Sequence, residues 1–301
     1  MSPGEGQLGL GGMPRRLVTT SPSKLGAWVD CPRKYRFAYV DRPTPPKGAP
    51  WAHSSLGASV HNALAAWWNL PAEQRDPAAA GRLLEAGWLE DGYRDDAQSA
   101  QWRGRAREMV EAYVATLDPM DEPRGVERTV AYRTEVLAVS GRIDRIDERA
   151  SDDGGRELVV VDYKTGRSTL GVDDARGSLQ LALYALGVSR VLRQRCRRVE
   201  LHHLPTARVL AWEHTPQTLA RHLSRAESIA LESRDATEAA AAGQPVDEAF
   251  PPRTGPLCQY CDWRARCQEG RAASRSLQPW EGLARIEAAP DDAAPDASID
   301  G

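Results

Sequence analysis

Apolar positions recur at helical spacing early in the chain. In SPSKLGAWVDCPRKYRFAYV, residues 21–40, Leu25, Trp28 and Val29 share a face and Ser21 stands where an N-cap belongs. One helix is expected there, followed by the proline-rich connector DRPTPPKGAP. Helical spacing returns in SSLGASVHNALAAWWNL, where Leu56, Val60, Leu64 and Trp67 line up, and two further helices are expected over about 78–93 and 98–117.

The period then shortens. GVERTVAYRTEVLAVSGRIDRID is β-branched and alternating, and its pattern is broken at Gly141. RELVVVDYKTG is a short apolar run ended by Gly166, and the acidic, glycine-containing ERASDDGGRE between the two predicts a hairpin turn. A helix over DARGSLQLALYALGVSRVL, strands near 198–204 and 207–213, and an alanine-rich helix over about 216–242 complete the pattern. Strands interleaved with helices predict an α/β fold with a small mixed sheet.

Composition narrows the class. The 301 residues are 41% hydrophobic and 27% charged, enough for one sizeable core with a small appended module. No run of about 18 apolar residues occurs, so no membrane span is expected. The first residues lack a secretory pattern, which makes the cytoplasm the expected compartment. The formal net charge of −3 hides an asymmetry: from Glu281 onward six acidic residues face one arginine, leaving +2 on the rest. That balance permits a local basic groove without announcing nucleic acid.

Charge inside the apolar strands changes the picture. Asp162 and Lys164 lie two apart in VVVDYKTG and project to one side, with Tyr163 pointing away. Val159, Val160 and Val161 mark a strand buried on both faces, so Asp162 belongs near its end. The preceding hairpin strand brings Asp144 alongside. Two carboxylates suit a hard cation such as Mg²⁺ that keeps room for water or phosphate. Lys164 would then lie beside the attacking water and the charge that develops on phosphorus, an arrangement for metal-assisted phosphodiester hydrolysis. The competing reading is a surface ion pair between Asp162 and Lys164. The spacing to GRID, an upstream helical His61, a downstream Gln180-x-x-x-Tyr184 and the cysteine pattern weigh against it.

The order GASVH, GRIDRID, VVDYKTG, QLALY resembles the RecB-family exonucleases of the PD-(D/E)xK superfamily, including RecB-like CRISPR-associated nucleases and the AddB nuclease domain. The resemblance spans roughly residues 19–270 and implies a restriction-endonuclease-like core. It implies Asp144 and Asp162 as carboxylate ligands of Mg²⁺ or Mn²⁺, the Tyr163 carbonyl as a further ligand, and Lys164 as the catalytic lysine. It also implies His61 in the metal shell, and Gln180 and Tyr184 supporting the site and contacting the DNA backbone. An acidic residue is expected on the first core strand: Glu127 by its distance to Gly141, with Glu135 as the alternative. Gly57, one turn before His61, would leave room for that histidine to approach a metal. The arginine run Arg190, Arg193, Arg195, Arg197 and Arg198 could contact phosphates, but a solvated face accounts better for at least some of them, and no role is assigned.

Cys258, Cys261 and Cys267 place three thiolates within ten residues, and Cys31 is the natural fourth; Cys196 stands apart. Such a set binds zinc or an iron–sulfur cluster, and spacing alone leaves that choice open. One early and three late cysteines resemble the iron–sulfur clamp of RecB-family nucleases, which implies a [4Fe–4S] cluster.

The organisation expected is a disordered N-terminus (1–19) and a nuclease domain (20–270), ending in a disordered acidic tail (271–301). Within the domain lie a helical insertion (54–117), a catalytic core (125–242) and a clamp of Cys31 with 256–268. The function implied is metal-dependent cleavage of DNA, exonucleolytic on single-stranded DNA or ends in recombination or repair, alone or beside a helicase or CRISPR partner. A spacer-processing nuclease, a non-catalytic DNA-binding or assembly module and a zinc-stabilised RNA-processing protein are the alternatives. Retention of Asp144, Asp162 and Lys164 speaks against a non-catalytic module.

Overall fold

The computed structural model describes residues 17–283, except 152–153 and 167–169. The expected N-terminal disorder up to residue 16, and the acidic tail beyond 283, lie outside the described residues.

Among the described residues six strands form one mixed sheet: β1 (Val18–Thr20), β2 (Gly125–Arg133), β3 (Leu137–Ala150), β4 (Arg156–Lys164), β5 (Cys196–His203) and β6 (Arg208–Glu213). The order is β1-β3-β4-β5-β6, with β2 on the other edge of β3. β3 pairs antiparallel with β2 and β4, while β1/β3 and β4/β5 are parallel. A parallel neighbour requires a crossover, and α6 (Val172–Gly177) and α7 (Leu179–Leu192) provide it between β4 and β5.

Helices cover both faces. On one, α3 (Ala52–Trp68), α4 (Pro77–Ala86) and α5 (Asp96–Val114) pack with Val159, Val161 and Tyr163. The expected stripe of α3 is buried there, with Val60 and Leu64 at 0% exposure. On the other face α7 covers Val130, Ile146, Leu158 and Val160. Beside it, α1 (Pro22–Asp30) packs through Leu25 and Trp28 against α8 (Pro216–Ala241).

Several boundaries differ from the sequence pattern. The first helix is not continuous. Ser21 caps α1, its Oγ accepting from Lys24 N–H at 3.2 Å, but Cys31 is extended (φ −167°, ψ 117°). The chain restarts as α2 (Pro32–Tyr35) and a π turn at 36–40. Pro32 disfavours a helical residue before it, so the break falls on the cysteine. Gly141 does not break a strand either; β3 runs through it, and the β2–β3 turn lies at 134–136. The helix expected from Asp174 onward is two, because Ser178 caps α7 by accepting from Leu181 N–H at 3.2 Å. Order begins before residue 20, since Val18–Thr20 pairs with Leu137–Val139. It also extends past 271: α10 (Gln268–Ala273) follows the cysteines, and Leu277 and Leu283 are buried. The short α9 (Val246–Ala249) precedes that segment.

Candidate active site

The β3–β4 pairing runs from Ala150↔Arg156 to Arg145↔Val161 and places Asp144 beside Asp162 as the strands part. Asp144 does not hang free. Its Oδ2 accepts the Tyr163 backbone N–H at 2.9 Å, tying one carboxylate to the strand that carries the other. His61, from α3, brings Nδ1 to 3.4 Å from the same oxygen. Burial alone would lower the His61 pKa, but Asp144 outweighs it and raises it. Gly57, one turn earlier, brings α3 against the end of β4; a Cβ there would meet Thr165 Oγ1 at 3.4 Å.

Glu127 completes a cluster. Ligand atoms of His61, Glu127 and Asp144 lie within 4.8 Å of one another. Glu127 sits between the pairs Val126↔Arg145 and Arg128↔Ile143, hence across from Asp144, and its φ of +47° is strained for a non-glycine residue. Side-chain alternation changes phase here. Val130 and Ile143 pack under α7, whereas Val126 packs with the α3–α5 cluster and Arg145 reaches Tyr163 on that same side. A local irregularity of this kind re-aims side chains. Burial and the Asp144 charge raise the Glu127 pKa. Glu135 is exposed in the β2–β3 turn and takes no part in this cluster.

Asp162 is 6% exposed and held by two neighbours. Gln180 Nε2 donates to Oδ1 at 3.1 Å, and Lys164 Nζ stands 2.7 Å from Oδ2. Apart from that ammonium, Oδ2 has no partner among the described residues. Burial pushes the Asp162 carboxyl up, and Asp144 adds to it against the pull of Lys164. A donor set of clustered carboxylate oxygens and one imidazole fits a divalent cation. His61, Glu127 and Asp144 would hold it, with Asp162 adjacent.

Gln180 and Tyr184 are one turn apart on α7, with Nε2 3.5 Å from the Tyr184 hydroxyl. Burial and the Asp162 charge push the Tyr184 pKa up to about 12. The arginine run is largely absorbed by structure: Arg195 pairs with Glu157, Arg198 with Glu200, and Arg190 donates to the Arg133 carbonyl.

Sequence reasoning missed the anchor beneath the site. The Tyr163 hydroxyl meets Arg145 at 3.2 Å and Trp68 at 3.3 Å on the face opposite the carboxylates. Arg145, 2% exposed, also bonds Asp147, and the network continues through Tyr113 and His202 to Glu200. The repeated Arg-Ile-Asp of GRIDRID was the available signal.

The cysteines form a second centre. Cys31, Cys258, Cys261 and Cys267 all line one cavity of about 150 Å³, together with Arg33 and Lys34. Cys31 Sγ accepts the Arg253 backbone N–H and Cys267 Sγ that of Gly270, both at 3.3 Å. Among the described residues no three cysteine sulfurs lie within 4.8 Å of one another. A single zinc, about 2.3 Å from each sulfur, would draw them closer than that. Cys196 lies apart, buried in β5.

A family profile of the PD-(D/E)XK nuclease superfamily matches residues 19–268, and the chain belongs to that superfamily. Its restriction-endonuclease-like fold and nuclease class follow from that membership. No curated protein matches the sequence. Among solved structures, the chain is similar to the protein SSO0001 at 16% identity and TM-score 0.38, over 85% of this chain and 88% of that one. It is also similar to a candidate exonuclease from Eubacterium rectale at 10% identity and TM-score 0.44, over 73% and 82% of the respective chains. No helix among the described residues is long and apolar enough to cross a membrane.

Proposed function

We propose that this protein is a divalent-metal-dependent DNA exonuclease of the RecB type, acting on single-stranded DNA or DNA ends in recombination or repair. The observation that carries the reading is the convergence of His61, Glu127, Asp144 and Asp162 beside the Lys164 ammonium. Bound there, a divalent cation supplies Lewis-acid stabilisation of phosphate oxygens and lowers the pKa of a water. The chain's own residues do the rest. Gln180 and the Tyr163 N–H fix the two aspartates in place, and Lys164 offers the charge that offsets the developing negative phosphorane. The Tyr163 carbonyl is a further ligand candidate. One imidazole among carboxylates suits Mn²⁺ better than Mg²⁺.

The cysteine cavity supports a [4Fe–4S] cluster over zinc. Its size and sulfur spacing exceed what one ion needs, and N–H···S bonds with Arg33 and Lys34 nearby offset thiolate charge. A helicase or CRISPR partner is compatible with this reading and is a matter for pull-down experiments.

The test is incubation of anaerobically purified protein with end-labelled single- and double-stranded DNA, with and without Mg²⁺ or Mn²⁺. Metal-dependent shortening from ends is expected, faster with Mn²⁺. For well-folded Asp162→Ala and Lys164→Ala, rates should fall roughly 10²-fold or more. Wild-type cleavage in EDTA, or near wild-type rates in Asp162→Ala, would overturn the proposal.

A further inference from the structure

A cationic pocket lies outside the metal site, beside the edge strand β6. Its cavity of about 500 Å³ is lined by Arg176 of α6, Trp212 of β6, His214 just past that strand, and Arg221, His222 and Arg225 of α8. His214 follows the strand that carries Trp212 and is tied to β5 by its N–H on the Arg197 carbonyl at 3.0 Å, while 218, 221, 222 and 225 form one stripe of a helix. The only ion pair at these arginines among the described residues joins Arg176 to Asp173 at 3.0 Å, and no carboxylate lines the cavity. Arg221 and Arg225 are exposed and like-charged one turn apart. Such an arrangement is unfavourable unless something neutralises it.

The second observation is a pair of orphaned nitrogens. Trp212 Nε1 and His214 Nε2 are both buried without a hydrogen-bond partner among the described residues. His214 is only 1% exposed, and its ring stacks edge-on with His222 at 5.2 Å. Thr218 Oγ1 donates to the Thr215 carbonyl at 2.9 Å, so it accepts from His214 Nδ1 at 3.2 Å. That assigns the proton to Nδ1 and leaves Nε2 as an acceptor, while Trp212 Nε1 is a donor. Burial, with His222 nearby, lowers the His214 pKa to about 4, in keeping with a neutral ring.

We propose that this pocket binds a phosphomonoester. In its monoanionic form, held below a second pKa of about 6, a phosphomonoester carries anionic acceptors for Trp212 and the arginines and one O–H that donates to His214 Nε2. A phosphodiester has no such proton, and a carboxylate presents its two oxygens in one plane to donors arriving from three elements. Arg176 is four residues before Gln180, so the pocket adjoins the active-site helix through α6. Two sources share the chemistry: a free mononucleotide or the phosphorylated end of a strand.

The experiment is calorimetry on the full chain in EDTA, which removes divalent cations from the metal site and so separates this proposal from the nuclease reading. The titrants are inorganic phosphate, deoxyadenosine monophosphate, and one oligonucleotide with a 5′-phosphate, a 3′-phosphate or neither. Wild type should bind phosphate, and Arg221→Ala/Arg225→Ala should weaken it about tenfold or more, the scale of lost charge-assisted bonds. Trp212→Phe keeps every charge and removes one donor, so a several-fold loss there marks a built site over a merely cationic surface. Tighter binding of a phosphorylated oligonucleotide than of its unphosphorylated twin assigns the site to strand ends. Equal binding of the oligonucleotides with tight mononucleotide binding assigns it to mononucleotides. Absence of phosphate binding in wild type, or identical binding in the double variant, overturns the proposal.

Discussion

Gly141 of β3 lies under the ring of Tyr184: a Cβ at that position would stand 2.5 Å from Cε1 and 3.3 Å from Pro22 Cδ. The contact locks α7 onto β3, and Tyr184 in turn backs Gln180 on Asp162. Gly141→Ala must displace the ring, at about 1–3 kcal/mol for an overpacked site. We expect a folded protein with a lowered melting point and a disproportionate fall in kcat. Adding Tyr184→Leu should recover stability and leave activity low. Unchanged kcat in a folded Gly141→Ala protein would show that the contact does not reach the site.

Glu127 holds a left-handed backbone conformation while serving the cluster. Glycine adopts that conformation freely, which is worth about 1–2 kcal/mol. The lost Arg142 pair, 71% exposed on the arginine side, is worth at most about 1 kcal/mol. Glu127→Gly is therefore expected to match or exceed wild-type stability in urea while losing most cleavage. A clear destabilisation, or retained cleavage, would count against a functional strain at this position.

Glu200 predicts an acid limb of stability. Burial would raise its carboxyl, but hydrogen bonds from His202 and Arg198 and the Arg149 charge hold it down at about 2. A carboxylate depressed from its ordinary 4.5 contributes stability in full above that value, and loses it as pH falls toward 2. Urea midpoints measured across that window should drop for wild type. Glu200→Gln should be less stable at neutral pH, by about 1–3 kcal/mol for the charge-assisted hydrogen bonds it loses, and flatter below 4.5. An equal acid slope in both proteins would place the limb elsewhere.

Cys31→Ala should abolish the broad absorbance near about 400 nm expected of a Cys-ligated cluster and lower the melting point. Cys196→Ala should leave the absorbance intact. A colourless anaerobic wild-type preparation with stoichiometric zinc would replace the cluster by a zinc site.

The carboxylates were legible because strand periodicity is strict: Asp162 and Lys164 had to share a side, and an adjacent hairpin strand had to bring Asp144 near. Gly141 was misread because a glycine in an alternating run signals either a turn or a close approach. Only the position of Tyr184 separates the two, and that is a tertiary fact. The Arg145–Tyr163 anchor was hidden for a related reason. The alternation of β2 and β3 changes phase at Glu127, so a regular period cannot tell which face Arg145 takes. β1 escaped notice because three residues beside a glycine-rich segment carry too little pattern to count.

The break at Cys31 bears on how the protein is made. The residue is held by Arg253 and lines its cavity with Cys258, Cys261 and Cys267, more than two hundred positions downstream. A ribosome delivers the N-terminal helices long before those partners exist, and α1 also waits for Phe250 and for Glu232, which receives the Trp28 indole N–H. This early segment is thus among the last to dock, and a nascent chain stalled before residue 258 cannot close the cysteine cavity. Synthesis and closure of the cysteine cavity are thereby ordered in time, and an unfinished chain carries an undocked early segment that chaperones and proteases can engage.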